Sequence, residues 1–141
     1  MSAPAIGSLH TSITPVGSRI TCDPAPADTD QDWLVFVPPE AFREFVEGLI
    51  ASDWEPAGSL RMEDDRGWTP GAAFNSFRLG IENLIVTCHE DFHKRFLAAS
   101  SVAKRLNLLE KADRIALFQA VLYGNRCDEE VVEIPELEGL A

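Results

Sequence analysis

Short apolar runs rich in β-branched and aromatic residues are separated by polar turns along much of the chain, and they predict β-strands. The predicted strands cover residues 12–16, 31–37, 74–78 and 81–87. Within the last of them, residues 83–86 are almost continuously apolar, which is typical of a strand with both faces buried. The pattern therefore predicts a sheet that has this last strand in its interior.

Apolar residues at helical spacing predict amphipathic helices between and after these strands. The helices are predicted at residues 40–52, 89–106 and 109–123. Thr87 and Glu90 fit a capping box at the start of the second helix. The order of the elements predicts a mixed α/β (α+β) fold, a small mixed β-sheet with helices packed on it and two helices at the C-terminal end.

The chain has 141 residues, of which 45% are hydrophobic, and this predicts one domain with a buried core. We place that domain at residues 12–125, after a flexible N-terminus at 1–11 and before an acidic C-terminal tail at 126–141. Residues 56–73 hold glycines, prolines and acidic residues without periodicity. They predict a long loop, either a lid over a site or a solvated crossover.

The formal net charge of −11 argues against general nucleic-acid binding through a basic surface. No apolar run approaches the roughly 18 residues that a membrane span requires. The N-terminus also lacks the basic and apolar regions of a signal peptide. These features predict a cytoplasmic protein that does not associate with membranes.

Cysteine and histidine side chains offer only a weak metal signal. Cys22, Cys88 and Cys127 form no Cys-x-x-Cys pair, so reduced thiols are the simpler interpretation. His89 and His93 have the spacing of helical zinc ligands, and Glu90 follows His89 as in the metalloprotease motif. We nevertheless favour a solvated helix face over a zinc site here, because no cysteine pair accompanies the two histidines.

Two carboxylates stand at the start of the predicted strand at 31–37. Alternate side chains of a strand share one face, so Asp30 and Asp32 are expected to point the same way. Such a pair repels itself unless a cation lies between the carboxylates, and Mg²⁺ prefers oxygen ligands. Upstream, the Gly17-Ser18 turn offers backbone N–H groups and a hydroxyl to a phosphate. Together they predict a site for a metal and a phosphate.

The aspartates have two other interpretations. Asp28-x-Asp30-x-Asp32 imitates the start of a calcium-binding EF-hand loop, but Trp33 and Pro39 stand where that loop needs Gly and Glu. The EF-hand interpretation fails. Asp28 and Asp30 could also be turn and cap residues, which is a common role of Asp.

A metal clamp for phosphoryl transfer usually needs a third carboxylate on a neighbouring strand. Glu82, at the start of the predicted strand at 81–87, is the acidic residue suitably placed for it. Asn83 is the competing choice, because a shift of one residue in register exchanges the side chains that face the pair. Arg19 and Arg78 are candidates for binding phosphate, or else ordinary surface arginines.

These residues resemble the nucleotidyltransferase (polymerase-β-like) superfamily. The resemblance rests on a Gly-Ser turn after a first strand, Asp-x-Asp leading a second strand, and a carboxylate on a later strand. In this sequence they are Gly17-Ser18, Asp30-x-Asp32 and Glu82. The second half of the chain, from residue 83 to about 125, also looks like small nucleotidyltransferase-like proteins encoded by bacteriophages.

The resemblance implies a role for each residue. Gly17 and Ser18 would hold a triphosphate, and Asp30 and Asp32 would coordinate Mg²⁺, with as many as two ions. Glu82 would complete the clamp as a third metal ligand and act as a base toward the acceptor. Arg19 and Arg78 are our candidates for the phosphate charge.

The implied activity is Mg²⁺-dependent transfer of a nucleoside monophosphate from an NTP to a hydroxyl acceptor, either a protein or a small molecule. The alternative is a catalytically inactive nucleotidyltransferase-fold protein that binds and modulates a host protein. If the chain is phage-encoded, its location is the host cytoplasm.

Overall fold

A computed structural model describes residues 2–27, 30–59 and 73–123. They form strands, one short 3-10 turn and helices in the order β1 Ser12–Val16, α1 Ser18–Thr21, β2 Gln31–Phe36, the 3-10 turn Pro39–Ala41, α2 Phe42–Ala51, β3 Glu55–Ser59, β4 Asn75–Leu79, β5 Glu82–Thr87, α3 Glu90–Leu106 and α4 Lys111–Tyr123. None of the helices in these ranges is long and apolar enough to cross a membrane.

The strands make one five-stranded sheet in the order β1-β2-β5-β4-β3. β2 and β5 pair in parallel at its centre, whereas the other neighbours are antiparallel. The chain leaves β2 and returns to β5 through α2, β3 and β4, which gives the parallel pair its long crossover. The predicted mixed α/β fold is confirmed, and so is the interior position of β5.

Most predicted elements are confirmed to within a residue or two, but the loop predicted at 56–73 is wrong at its start. Residues Glu55–Ser59 form β3 and pair with β4, with a break in register between Pro56 and Gly58. Proline and glycine disfavour strands, so the sequence pattern does not indicate this edge strand. Backbone pairing with β4 holds it in the sheet. The rest of that predicted loop, residues 60–72, lies outside the described residues, and so does the predicted acidic tail at 126–141.

The two faces of the sheet pack against different helices. On the α2 side, the buried cluster combines strand and helix side chains: Trp33, Val35, Phe45, Leu49, Phe77, Leu84 and Val86. On the α3 side, a smaller buried cluster holds Val16, Leu34 and Phe92. Residues 5–9, predicted to belong to a flexible N-terminus, lie along α2, and Ile6 packs against the larger cluster.

Both ends of α3 are fixed by side-chain contacts to the rest of the fold. His89 is the N-cap residue, and its N–H donates to Thr87 Oγ1 at 3.0 Å. The predicted capping box is therefore wrong, because His89 rather than Thr87 is the N-cap residue and no side chain of the described residues caps the start of the helix. The Thr87 hydroxyl donates to Ala73 O at 2.7 Å. At the other end, Asn107 accepts from Asp23 N–H and donates to Asp23 O, at 2.9 and 3.0 Å. These bonds tie the segment after α1 to the end of α3.

Candidate functional site

The turn after β1 brings the backbone into contact with a carboxylate. Gly17 adopts φ 87° and ψ −177°, a conformation that is essentially restricted to glycine. A Cβ at this position would lie 2.2 Å from Asp32 Oδ2. The Gly17 carbonyl accepts hydrogen bonds from Ile20 and Thr21 N–H, which start α1 at Ser18. Only glycine allows the turn and the Asp32 carboxylate to lie this close together.

Asp32 belongs to a row of side chains across four strands. In the register of the sheet, Val16 is opposite Asp32, Asp32 is opposite Asn83, and Asn83 is opposite Arg78. Paired residues share a face, so all four side chains point toward the α3 side. Asn83 Nδ2 donates to Asp32 Oδ1 at 3.0 Å, while Asn83 Oδ1 is buried without a hydrogen-bond partner in the described structure.

Asp30, immediately before β2, forms an ion pair across the same end of the sheet. Arg78 Nη1 donates to Asp30 Oδ2 at 2.5 Å. Both side chains are partly exposed, Arg78 by 46% and Asp30 by 41%. The arginine predicted to bind phosphate therefore contacts one of the two predicted metal ligands.

The electrostatics of Asp32 are those of a crowded, half-buried carboxylate. Burial raises the pKa of Asp32, and the negative charge of Asp30 raises it further. The hydrogen bond from Asn83 and the charges of Arg78 and Arg19 act in the opposite direction, but the pKa remains above its ordinary value. The ionised form of Asp32 is thus disfavoured in the folded chain, and a cation bound beside it would remove this cost.

Glu82 does not join the aspartates. It is opposite Gln31 in the parallel pair, one residue out of step with the Asp32–Asn83 pair, and so it faces the α2 side. Its Oε1 accepts a hydrogen bond from Trp33 Nε1 at 2.6 Å. The structure therefore does not bring three carboxylates together. Asn83 occupies the place expected for Glu82.

The remaining predicted residues lie near the pair. Ser18 begins α1, and Arg19 lies in its last turn, close enough for its charge to lower the pKa of Asp32. The structure thus brings together Gly17, Asp30, Asp32 and Arg78 with Asn83, which the sequence offered only as the alternative to Glu82. The alternation of side chains along β5 places Asn83, and not Glu82, on the same face as Asp32. The sequence does not show this alternation, because residues 83–86 form an almost continuous apolar run.

Some of the donor atoms in this cluster are of the kind that could hold one divalent cation. Asp30 and Asp32 provide hard oxygen atoms such as Mg²⁺ prefers. Asn83 faces Asp32 with Nδ2, so its buried Oδ1, which has no hydrogen-bond partner in the described structure, would join them only if the amide turned over. Within the described ranges, no group of three or more His, Cys, Asp and Glu side chains is arranged to hold a metal. Two carboxylates and one amide suit a single ion better than a two-ion clamp.

Other polar groups and a cavity lie apart from this cluster. His93 Nε2 is 3.5 Å from Ser12 Oγ, its ring lies against Phe36, and burial lowers its pKa. A cavity of about 320 Å³ lies between residues 5–9 and α2, with Trp54 in its lining. This cavity is on the α2 side of the sheet, whereas Asp32 faces the α3 side.

A comparison with protein families, curated protein sequences and solved structures finds no match for this chain. The assignment of the site therefore rests on the geometry and chemistry of Gly17, Asp30, Asp32, Asn83 and Arg78.

Proposed function

We propose that the protein binds a nucleoside triphosphate with Mg²⁺ and transfers its nucleoside monophosphate to a hydroxyl acceptor, on a protein or a small molecule. The observation that carries this proposal is the contact between Gly17 and the Asp32 carboxylate. It supports a site in which a phosphate held at the Gly17-Ser18 turn would lie directly beside the cation ligands.

Each group near the turn has a separate task. Asp30 and Asp32 hold the cation, and the Asn83 amide oxygen joins them once the amide has turned over. Bound Mg²⁺ would neutralise charge on the phosphates and on the leaving pyrophosphate. Arg19 and Arg78 add positive charge for the phosphate oxygens, and Arg78 is suited to this because its planar guanidinium donates in parallel to two oxygens.

The reaction is a displacement at the α-phosphorus. The acceptor oxygen forms a bond to that phosphorus, and the bond to the oxygen that bridges the α- and β-phosphates breaks. Pyrophosphate leaves with the electron pair of the broken bond, and the acceptor's proton passes to solvent. The chain's contribution is to position the phosphates and hold the charge that develops on them.

A second function is favoured by one specific observation. Asn83 stands where a third carboxylate would complete a two-ion clamp, and an amide carries no charge and is a weaker cation ligand. A site with this donor set can bind a nucleotide with one cation and still not transfer it. The second candidate is therefore a nucleotide-binding protein that acts by binding a host protein.

Label transfer tests the first function. The purified protein is incubated with each α-³²P-labelled NTP, Mg²⁺ and bacterial lysate, and labelled products are separated from free nucleotide. Transfer by the wild type and by Asp113→Asn, an exposed aspartate of α4, but not by Asp32→Asn, is the expected result. Transfer that continues in the double variant Asp30→Ala, Asp32→Ala would reject the assignment.

Calorimetry separates the two functions. Each NTP is titrated into the protein with Mg²⁺ present, using a nucleotide with a methylene bridge between the α- and β-phosphates so that nothing is cleaved. Binding that depends on Asp32, together with no label transfer, would support the binding protein over the enzyme. Absence of both binding and transfer would reject nucleotide recognition at this site.

A further inference from the structure

We infer that Arg78 is an internal counter-ion that competes with the divalent cation for Asp30, so that the site selects a cation carried by a triphosphate over the free ion. The inference rests on the proposed function, because it concerns how the same site accepts its ligand. It assigns Arg78 a role in specificity that is distinct from simple attraction of phosphate.

The geometry places Arg78 where a cation would be expected to bind. Its Nη1 lies 2.5 Å from Asp30 Oδ2, and β4 holds it directly opposite Asn83 in the register of the sheet. Asn83 in turn donates to Asp32. A guanidinium charge therefore lies among the three side chains whose oxygens fit Mg²⁺, and one oxygen of Asp30 is already occupied.

The ion pair is well placed to open. Arg78 and Asp30 are 46% and 41% exposed, and pairs this accessible to water contribute little net stability. The Asp32 carboxylate, in contrast, is half-buried against Gly17 and bonded to Asn83. Of the two predicted carboxylate ligands, Asp30 is the one whose present partner can leave at small cost.

The free-energy cost of opening the Arg78–Asp30 ion pair differs between a free cation and a cation bound to a triphosphate. A free cation that takes Asp30 displaces Arg78 into water and leaves two positive charges close together. A cation that arrives with a triphosphate brings oxygens that can accept hydrogen bonds from the displaced guanidinium. Cation and triphosphate are then coupled, and each raises the affinity of the site for the other.

Calorimetric titrations with MnCl₂ in the absence of nucleotide test the competition. Arg78→Gln removes the charge, and we expect it to bind free Mn²⁺ about tenfold more tightly than the wild type, since a unit charge a few ångströms away is removed. Arg105→Gln is the matched control, because it changes the net charge equally at an exposed position of α3. It should bind free Mn²⁺ as the wild type does.

The same variants are titrated with the methylene-bridged nucleotide and Mn²⁺ together. The preference for nucleotide-bound over free Mn²⁺ should fall in Arg78→Gln and persist in Arg105→Gln. Arg78→Lys keeps the charge but not the planar fork, so it should retain weak binding of free Mn²⁺. Thermal unfolding of each variant shows whether the fold is retained.

Equal affinity of Arg78→Gln and Arg105→Gln for free Mn²⁺ would overturn the inference, whether or not nucleotide binds. If nucleotide binding by the wild type depends on Asp32 in that case, the proposed function survives alone. Tighter binding of free Mn²⁺ by Arg78→Gln without any nucleotide binding would support the competition and reject the proposed function.

Discussion

The two faces of the central strand pair, β2 and β5, carry different kinds of side chain. Toward α2, β2 and β5 contribute Trp33, Val35, Leu84 and Val86 to an extensive buried cluster. Toward α3, the ends of the same strands present Asp32 and Asn83 beside a smaller cluster. The first face stabilises the fold, whereas the second carries polar groups whose charges and hydrogen bonds are incompletely compensated within the described chain.

Two acidic residues show the difference most directly. Glu82 accepts a hydrogen bond from the Trp33 indole at 2.6 Å and belongs to the stabilising face. Asp32 is bonded to Asn83, but burial and Asp30 still raise its pKa. A carboxylate whose ionised form is disfavoured in the folded chain is a candidate for a binding role.

The largest effect that distinguishes the faces is expected from Gly17→Ala. The new methyl group would overlap Asp32 Oδ2 in a backbone conformation that only glycine tolerates, so we expect a loss of about 2–4 kcal/mol in the free energy of unfolding. Nucleotide binding should be lost as well. Urea unfolding and calorimetry with Mn²⁺ and nucleotide measure the two effects.

Gly48→Ala is the matched control on the other face. Gly48 lies inside α2, and nothing in the described structure lies within 4 Å of an added Cβ. Alanine should therefore stabilise the helix by about 0.5–1 kcal/mol and leave ligand binding unchanged. If Gly17→Ala matched Gly48→Ala in both stability and ligand binding, the close contact between Gly17 and Asp32 would not be required for either property.

Asp32→Asn should separate stability from binding. Below the ordinary pKa of Asp, the carboxyl group is protonated in both folded and unfolded chains, and the penalty is absent. As the pH rises through the raised pKa of the folded protein, the wild type loses stability that the asparagine variant keeps. Its advantage should grow as the pH rises from the ordinary pKa of Asp through the raised pKa of Asp32 in the folded protein, and then level off.

Urea unfolding at a series of pH values, without added cation, measures this difference between Asp32→Asn and the wild type. Calorimetry should find no Mn²⁺ binding by the variant. A constant stability difference across the pH range would contradict the electrostatic account of Asp32.

Glu82→Gln should have the smallest effect. The amide oxygen can still accept from the Trp33 indole but without the charge, so the loss of stability is expected to be about 1 kcal/mol. Binding of Mn²⁺ and nucleotide should match the wild type. Loss of cation binding in this variant, with the fold retained, would indicate that Glu82 is a metal ligand. It would contradict the assignment of cation binding to the α3 side of the sheet alone.

Local patterns in the sequence predict the three longer helices, α2 to α4, the interior strand β5 and the aspartate pair, but not the short helix α1 after Gly17. They do not predict β3, whose Pro56 and Gly58 disfavour a strand that pairing with β4 nevertheless forms. The choice between Glu82 and Asn83 also escapes them. A strand buried on both faces carries no alternation, so its register is set only by the partner strands.

The ion pair between Arg78 and Asp30 is the other feature that could not be predicted. The two residues are 48 positions apart in the chain and meet only because β4 and β2 both flank β5. On charge alone, the sequence predicts Arg78 as a phosphate ligand. Only the order of strands in the sheet reveals that it contacts a predicted metal ligand.

The parallel pairing of β2 with β5 has a consequence for the order in which the molecule forms. Asp32 and Asn83 are 51 positions apart, so their hydrogen bond requires closure of a long loop that includes α2 and the β3–β4 pair. A nascent chain that has not yet released β5 from the ribosome holds the two aspartates without their amide or their arginine. The cluster of Asp30, Asp32, Asn83 and Arg78 is thus completed only when β5 enters the sheet between β2 and β4.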